Sequence, residues 1–112
     1  MNELDELLNG VYSPTISDVS VLVREVRVRV GVLSRFVTIW IYYEGRTAEP
    51  YRFELSAIMK TARGRDPRAS RRTAHTETDA LRQAVRLLTQ DYEEAVRLGE
   101  MPDESWLVPV GA

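Results

Sequence analysis

From position 19 the chain alternates between apolar and polar residues. Val19, Val21 and Val23 hold the odd positions, and Val26, Val28, Val30 and Val32 then hold the even ones. Period two marks a half-buried β-strand, and the change of phase at Arg24 and Glu25 predicts a β-bulge. The run FVTIWIYY repeats the pattern, with Val37, Ile39, Ile41 and Tyr43 set against Phe36, Thr38, Trp40 and Tyr42. Together the two runs predict an antiparallel hairpin. A two-residue loop at Ser34 and Arg35 pairs residues whose numbers sum to 69, so that Val32 faces Val37, Val30 faces Ile39 and Val28 faces Ile41. Any odd sum sets aliphatic against aliphatic on the buried side; an even sum sets arginine against isoleucine. Ser-Arg is poor chemistry for a two-residue turn, so a four-residue loop of the same parity serves equally well.

The flanking segments complete the outline. Residues 2–9 read as a short helix with Leu4, Leu7 and Leu8 on one side and Gly10 as its stop. YRFEL alternates again, with Tyr51, Phe53 and Leu55 inward, and the spacing of Leu55, Ile58, Met59 and Ala62 predicts a short helix over 55–63. Residues 60–75, with Gly64 and Pro67, read as a loop. Leu81, Ala84, Val85, Leu88, Tyr92, Ala95 and Val96 form a stripe at helical spacing. Thr76 or Thr78 caps that helix and Gly99 ends it. The tail 100–112 shows no period, but Trp106, Leu107 and Val108 are apolar enough to dock on the core or on a partner. The expectation is one α+β domain over 1–112, in the order α-β-β-β-(α)-α, with a three-stranded antiparallel sheet packed against the long C-terminal helix.

Charge changes this picture in one place. Lys60, Arg63, Arg65, Arg68, Arg71 and Arg72 stand in residues 60–75 with a single acid, Asp66, a net +5 in a chain of net −2. A mobile arginine segment suits phosphate contacts, which need charge and reach, and the adjacent helix N-terminus favours an anion. The same arginines could instead pair with the protein's own acids, with a second copy or with an acidic protein partner. On the sheet, the odd-sum register leaves Arg27, Arg29, Trp40 and Tyr42, with Arg52 and Glu54, on the side opposite the aliphatics. At sum 69 Arg29 lies across from Trp40 and Arg27 across from Tyr42. Such pairs contribute about 0.5–1 kcal/mol on a solvated face, and the same groups stack bases in single-strand binding. Two further readings stay open: a solvated face of cross-strand pairs, or a face covered by the short helix or a second subunit.

Little points to catalysis. With no cysteine and one histidine, His75, disulfides, thiolate chemistry and histidine-rich zinc sites are excluded. Ser70 and His75 share a loop, but there is no G-x-S-x-G elbow, phosphate-binding loop or dinucleotide fingerprint. Asp91, Glu93 and Glu94 read as a solvated helix face. The acidic start MNELDELLNG is unlike a signal peptide, and the apolar run 36–43 is too short to cross a bilayer. A cytoplasmic protein with no membrane partner and no cofactor is expected.

The order α-β-β-β-α resembles that of the double-stranded RNA-binding domain, and NELDELLN is similar to that family's first helix. The family's lysine-rich signature at the start of the last helix is absent, since TETDALRQA is acidic, and no binding residue is carried over. The segment TETDALRQAVRLLTQDYEEAVRLGEMPDESW resembles the helix and tail of antitoxins of the HicB type, whose proline-glycine strand segment is absent here. The sequence therefore points to a small non-enzymatic binding protein. Nucleic acid is the expected ligand, with Arg63, Arg65, Arg68, Arg71 and Arg72 on phosphates and Trp40, Tyr42, Arg27 and Arg29 as the stacking surface. The alternative is a homodimeric protein-interaction or regulatory module, antitoxin-like or an assembly factor.

Overall fold

The computed structural model describes residues 3–62, 64 and 71–110. Helix α1 spans Glu3–Val11, and strands β1 (Val21–Arg29), β2 (Phe36–Tyr43) and β3 (Tyr51–Leu55) follow. Two short strands, β4 (Ala57–Met59) and β5 (Thr73–Ala74), precede the long helix α2 (Glu77–Arg97). A 3-10 turn at Glu104–Trp106 leads into β6 (Leu107–Pro109). The α+β class holds, with an antiparallel sheet against a long C-terminal helix. The sheet has four strands rather than three, in the order β1-β2-β3-β5, and β4 and β6 form a separate pair.

The parity of the ribbon is as expected, and its offset is not. Val28 pairs with Val37, Val26 with Ile39 and Arg24 with Ile41, so partner numbers sum to 65. The bulge is present, with Val23 as the extra residue between Leu22 and Arg24. Val37, Ile39, Ile41 and Phe53 are fully buried and face α2. Ala80, Ala84 and Ala95 are buried too and let the helix approach closely, while Leu88 and Tyr92 fill the space between. Each large aliphatic in this layer contributes about 1.5–3 kcal/mol by leaving water. Val85 and Val96, read as part of the buried stripe, are exposed because only one side of α2 meets the sheet.

The connection between β1 and β2 corrects the two-residue loop. It runs over residues 30–35, because Val30 and Leu33 turn into the core at 6% and 2% exposure. The turn is held from α2: the Val32 N–H donates to the Tyr92 hydroxyl at 3.1 Å. Gly31 sits at φ +54, and a Cβ there would lie 2.0 Å from the Tyr92 hydroxyl. The loop also grips the tail. The Ser34 N–H donates to Glu104 Oε1 at 2.6 Å, and its hydroxyl bonds the same oxygen. Arg35 donates to the carbonyls of Glu104 (2.6 Å) and Leu107 (2.7 Å). The Ser34 hydroxyl, with the Ser34 N–H and Arg35, holds the Glu104 carboxyl below its ordinary range.

The short helix expected over 55–63 does not form. At Ser56 the chain leaves β3: its hydroxyl accepts from the Thr38 N–H at 2.8 Å, and its N–H donates to the Thr38 carbonyl at 3.0 Å. Ala57, Ile58 and Met59 are all buried and pair with Pro109, Val108 and Leu107. The tail supplies strand partners that no local pattern announces, and this pairing outweighs the helical spacing. The tail thus docks as its composition suggested, with Leu107 buried and the Trp106 ring edge-on to Tyr92 at 5.8 Å.

Helix α2 is bounded as its sequence indicates. Thr76 is the N-cap, its hydroxyl accepting from the Asp79 N–H at 3.0 Å. At the other end Gly99 (φ +88) donates to Val96 and Glu100 donates to Ala95, both at 3.0 Å, which closes a Schellman motif. Helix α1 lies at the end of the sheet, where Leu8 is buried and the Tyr43 hydroxyl donates to Asp5 at 2.5 Å.

Replacing Gly31 tests the loop. Gly31→Ala places a side chain both in the left-handed region and against Tyr92. Chemical denaturation is expected to show a loss of at least about 1–3 kcal/mol. An unchanged midpoint would mean that the loop is not held against α2.

Candidate functional site: the open face of the sheet

The side of the sheet away from α2 is built from alternate residues of three strands. On β1 it presents Glu25, Arg27 and Arg29; on β2 Phe36, Thr38, Trp40 and Tyr42; on β3 Arg52 and Glu54. Phe36 is 53% exposed, and Trp40 and Tyr42 are half-buried. Neither helix packs over these residues.

The shift in register changes the pairs. Arg29 lies across from Phe36, not Trp40, and Arg27 across from Thr38, not Tyr42. The Arg27 guanidinium stands over the Phe36 ring, 4.7 Å from its centroid. Trp40 faces Glu25 across β1 and donates its indole N–H to Glu25 Oε1 at 2.7 Å. Tyr42 is covered by Arg52, whose guanidinium lies 4.7 Å from its ring. Arg52 in turn bonds Glu44 and, at 2.5 Å, Glu54. Glu25, Glu44 and Glu54 equal in number the three arginines of this face, although two of them bond Arg52 and one bonds Trp40, and the sheet offers aromatic surface rather than net charge.

Arg72 lies at the edge of the sheet beside β3, where its carbonyl accepts from the Phe53 N–H at 3.0 Å. It lines an open groove of about 500 Å³ together with Trp40, Arg52, Glu54, Ser56 and Val110. Its guanidinium lies 5.7 Å from the Phe53 ring centroid. Arg71 goes elsewhere, to a cluster near the start of α2. It bonds Glu49, which also accepts from the Thr73 hydroxyl at 2.6 Å, while a His75 ring nitrogen lies 3.8 Å from the same carboxylate. His75 also meets the Ala48 carbonyl at 2.8 Å. Arg63, Arg65 and Arg68 lie outside the described residues. The stretch 60–75 is not loop throughout, since Thr73 and Ala74 form β5 against Arg52 and Tyr51.

Phe36 is the member of the face that sequence reasoning missed as a stacking group. Its place in the alternation was visible, but a short turn at Ser34 and Arg35 sets it at the mouth of the loop. The true register makes it the first residue of β2. No three of the described His, Asp and Glu residues are grouped so as to hold a metal ion. No helix among the described residues is long and apolar enough to cross a membrane.

Comparison with family models, curated proteins and solved structures gives no match. Strands β4 and β5 between β3 and α2, and β6 after α2, depart from the α-β-β-β-α order on which the likeness to the double-stranded RNA-binding domain rested.

The Glu49 cluster carries a pH dependence. The Thr73 hydroxyl chiefly, then Arg71 and His75, hold the Glu49 carboxyl below its ordinary 4.5, against the opposing effect of burial. A depressed folded-state value gives stability that is present above 4.5 and lost as pH falls through the folded value. Thermal midpoints followed into acid should fall below that point. In Glu49→Gln the fall should be shallower, from a lower starting midpoint. Parallel curves would remove Glu49 from the account.

Proposed function

We propose that the protein binds nucleic acid without catalysing a reaction, using the open sheet face for bases and the arginines of 60–75 for phosphates. The observation that carries this reading is the row of Phe36, Trp40 and Tyr42 along one side of β2, on the face opposite α2. Bases stack on such rings with little sequence preference, at about 1–3 kcal/mol each. A single strand fits better than a duplex, because stacking on a flat sheet needs unpaired bases.

Charge divides the labour. Glu25, Glu44 and Glu54 offset Arg27, Arg29 and Arg52 in number and leave the sheet near neutrality, so phosphate attraction rests on Arg72 at the groove, then Arg71, and on Arg63, Arg65 and Arg68. The net −5 of residues 76–112 limits indiscriminate adhesion to polyanions.

A second reading has an observation of its own. Trp40 and Arg52 are already engaged by Glu25, Glu44 and Glu54. A balanced polar and aromatic surface of this kind also suits a protein partner. In that reading the chain is a regulator or an assembly factor.

Anisotropy of a labelled single-stranded oligonucleotide separates the two. Nucleic-acid binding predicts an affinity that falls steeply with salt. Trp40→Ala should weaken it about tenfold, and Arg72→Ala should make the salt slope shallower by about one. No binding at low salt would remove this reading and favour the protein partner.

A further inference from the structure

The free edge of β1 carries an ordered set of charges. The sheet order places β1 at one edge, nine residues long, while the opposite edge is the two-residue β5. Among the described residues no strand pairs with the outer side of β1. An edge of this length presents a row of backbone donors and acceptors to any matching strand. The Val23 bulge and the arginines discourage indiscriminate pairing. They also select one partner.

Two copies of β1 can join antiparallel about a two-fold axis perpendicular to the sheet. This keeps each face continuous and requires facing residues to have numbers of even sum. The registers then differ by charge. An axis at Arg24, Glu25 or Arg27 sets that residue against itself. An axis at Val28 sets Arg27 against Arg29 twice. An axis at Val26 sets Glu25 against Arg27 of the second copy, twice, with Val26 meeting Val26 between them. Axes at Leu22 and Val23 fall on the bulge, where the ladder is broken; of the five axes beyond it, the one at Val26 alone has no facing like charges. Glu25 is already fixed on the open face by the Trp40 indole, and the half-buried Val26 would be covered by its counterpart.

We propose that the protein forms a homodimer through antiparallel β1–β1 pairing centred on Val26. The two sheets become one of eight strands, and the two aromatic rows share a continuous face. The pairing is independent of what that face binds.

Sedimentation equilibrium from micromolar to millimolar concentration tests this. The wild-type mass should rise from 12.8 kDa toward twice that value. Glu25→Arg and Arg27→Glu, each alone, face like with like, and each should weaken the dimer about tenfold or more. Mixed in equal amounts, the two variants restore both attractive pairs, and the dimer should return. In the wild-type chain, exchange of β1 amides should slow as concentration rises. A mass fixed at 12.8 kDa overturns the proposal. So do concentration-independent exchange, single variants that dimerise as wild type does, or a mixture of folded variants that stays monomeric.

Discussion

The structure depends on the contact between the aliphatic side of the β1–β2 ribbon and the alanine side of α2. Val37, Ile39 and Ile41 are wholly buried because Ala80 and Ala84 let the helix axis come close. A strand has only two sides, so fixing one fixes the other. Once the branched residues turn to α2, Phe36, Trp40 and Tyr42 have no choice but the open side. The candidate surface is a consequence of the core rather than a separate design.

Two long-range contacts give that core its limits. The residue 30–35 loop folds inward over Tyr92 and clamps the tail through Ser34, Arg35 and Glu104. The tail then returns as β6 to pair with β4. One loop therefore sets the hairpin offset and anchors the C-terminal segment. Both meet at Tyr92, which touches Gly31, Val32 and Trp106.

Much of this was legible in the sequence. Alternation alone carries the face assignment of β2, and the phase change in the valines marks the bulge within about a residue. Thr76 and Gly99 bound α2 by local chemistry, which is why those ends were readable. The offset of the hairpin was not, because Val30 and Leu33 bury in a loop whose support, Tyr92, lies far along the chain. Residues 57–59 fit helical spacing, and only the distant tail makes them a strand. At the candidate site, the aromatic face followed from parity, but its partners did not. Trp40 found Glu25 and Tyr42 found Arg52, where a register four units away promised Arg29 and Arg27. Of the acids, Glu54 followed from the same parity, whereas Glu25 and Glu44 show their place on this face only in the folded protein.

The face assignment is the claim on which fold and function both stand. Nuclear Overhauser contacts in labelled protein read it directly. The account predicts contacts from the Ile39 and Ile41 methyls to α2, with the Trp40 indole close to Glu25 and remote from Ala84 and Leu88. Indole contacts to Ala84 or Leu88, with Ile39 and Ile41 seen only against solvent, would contradict it.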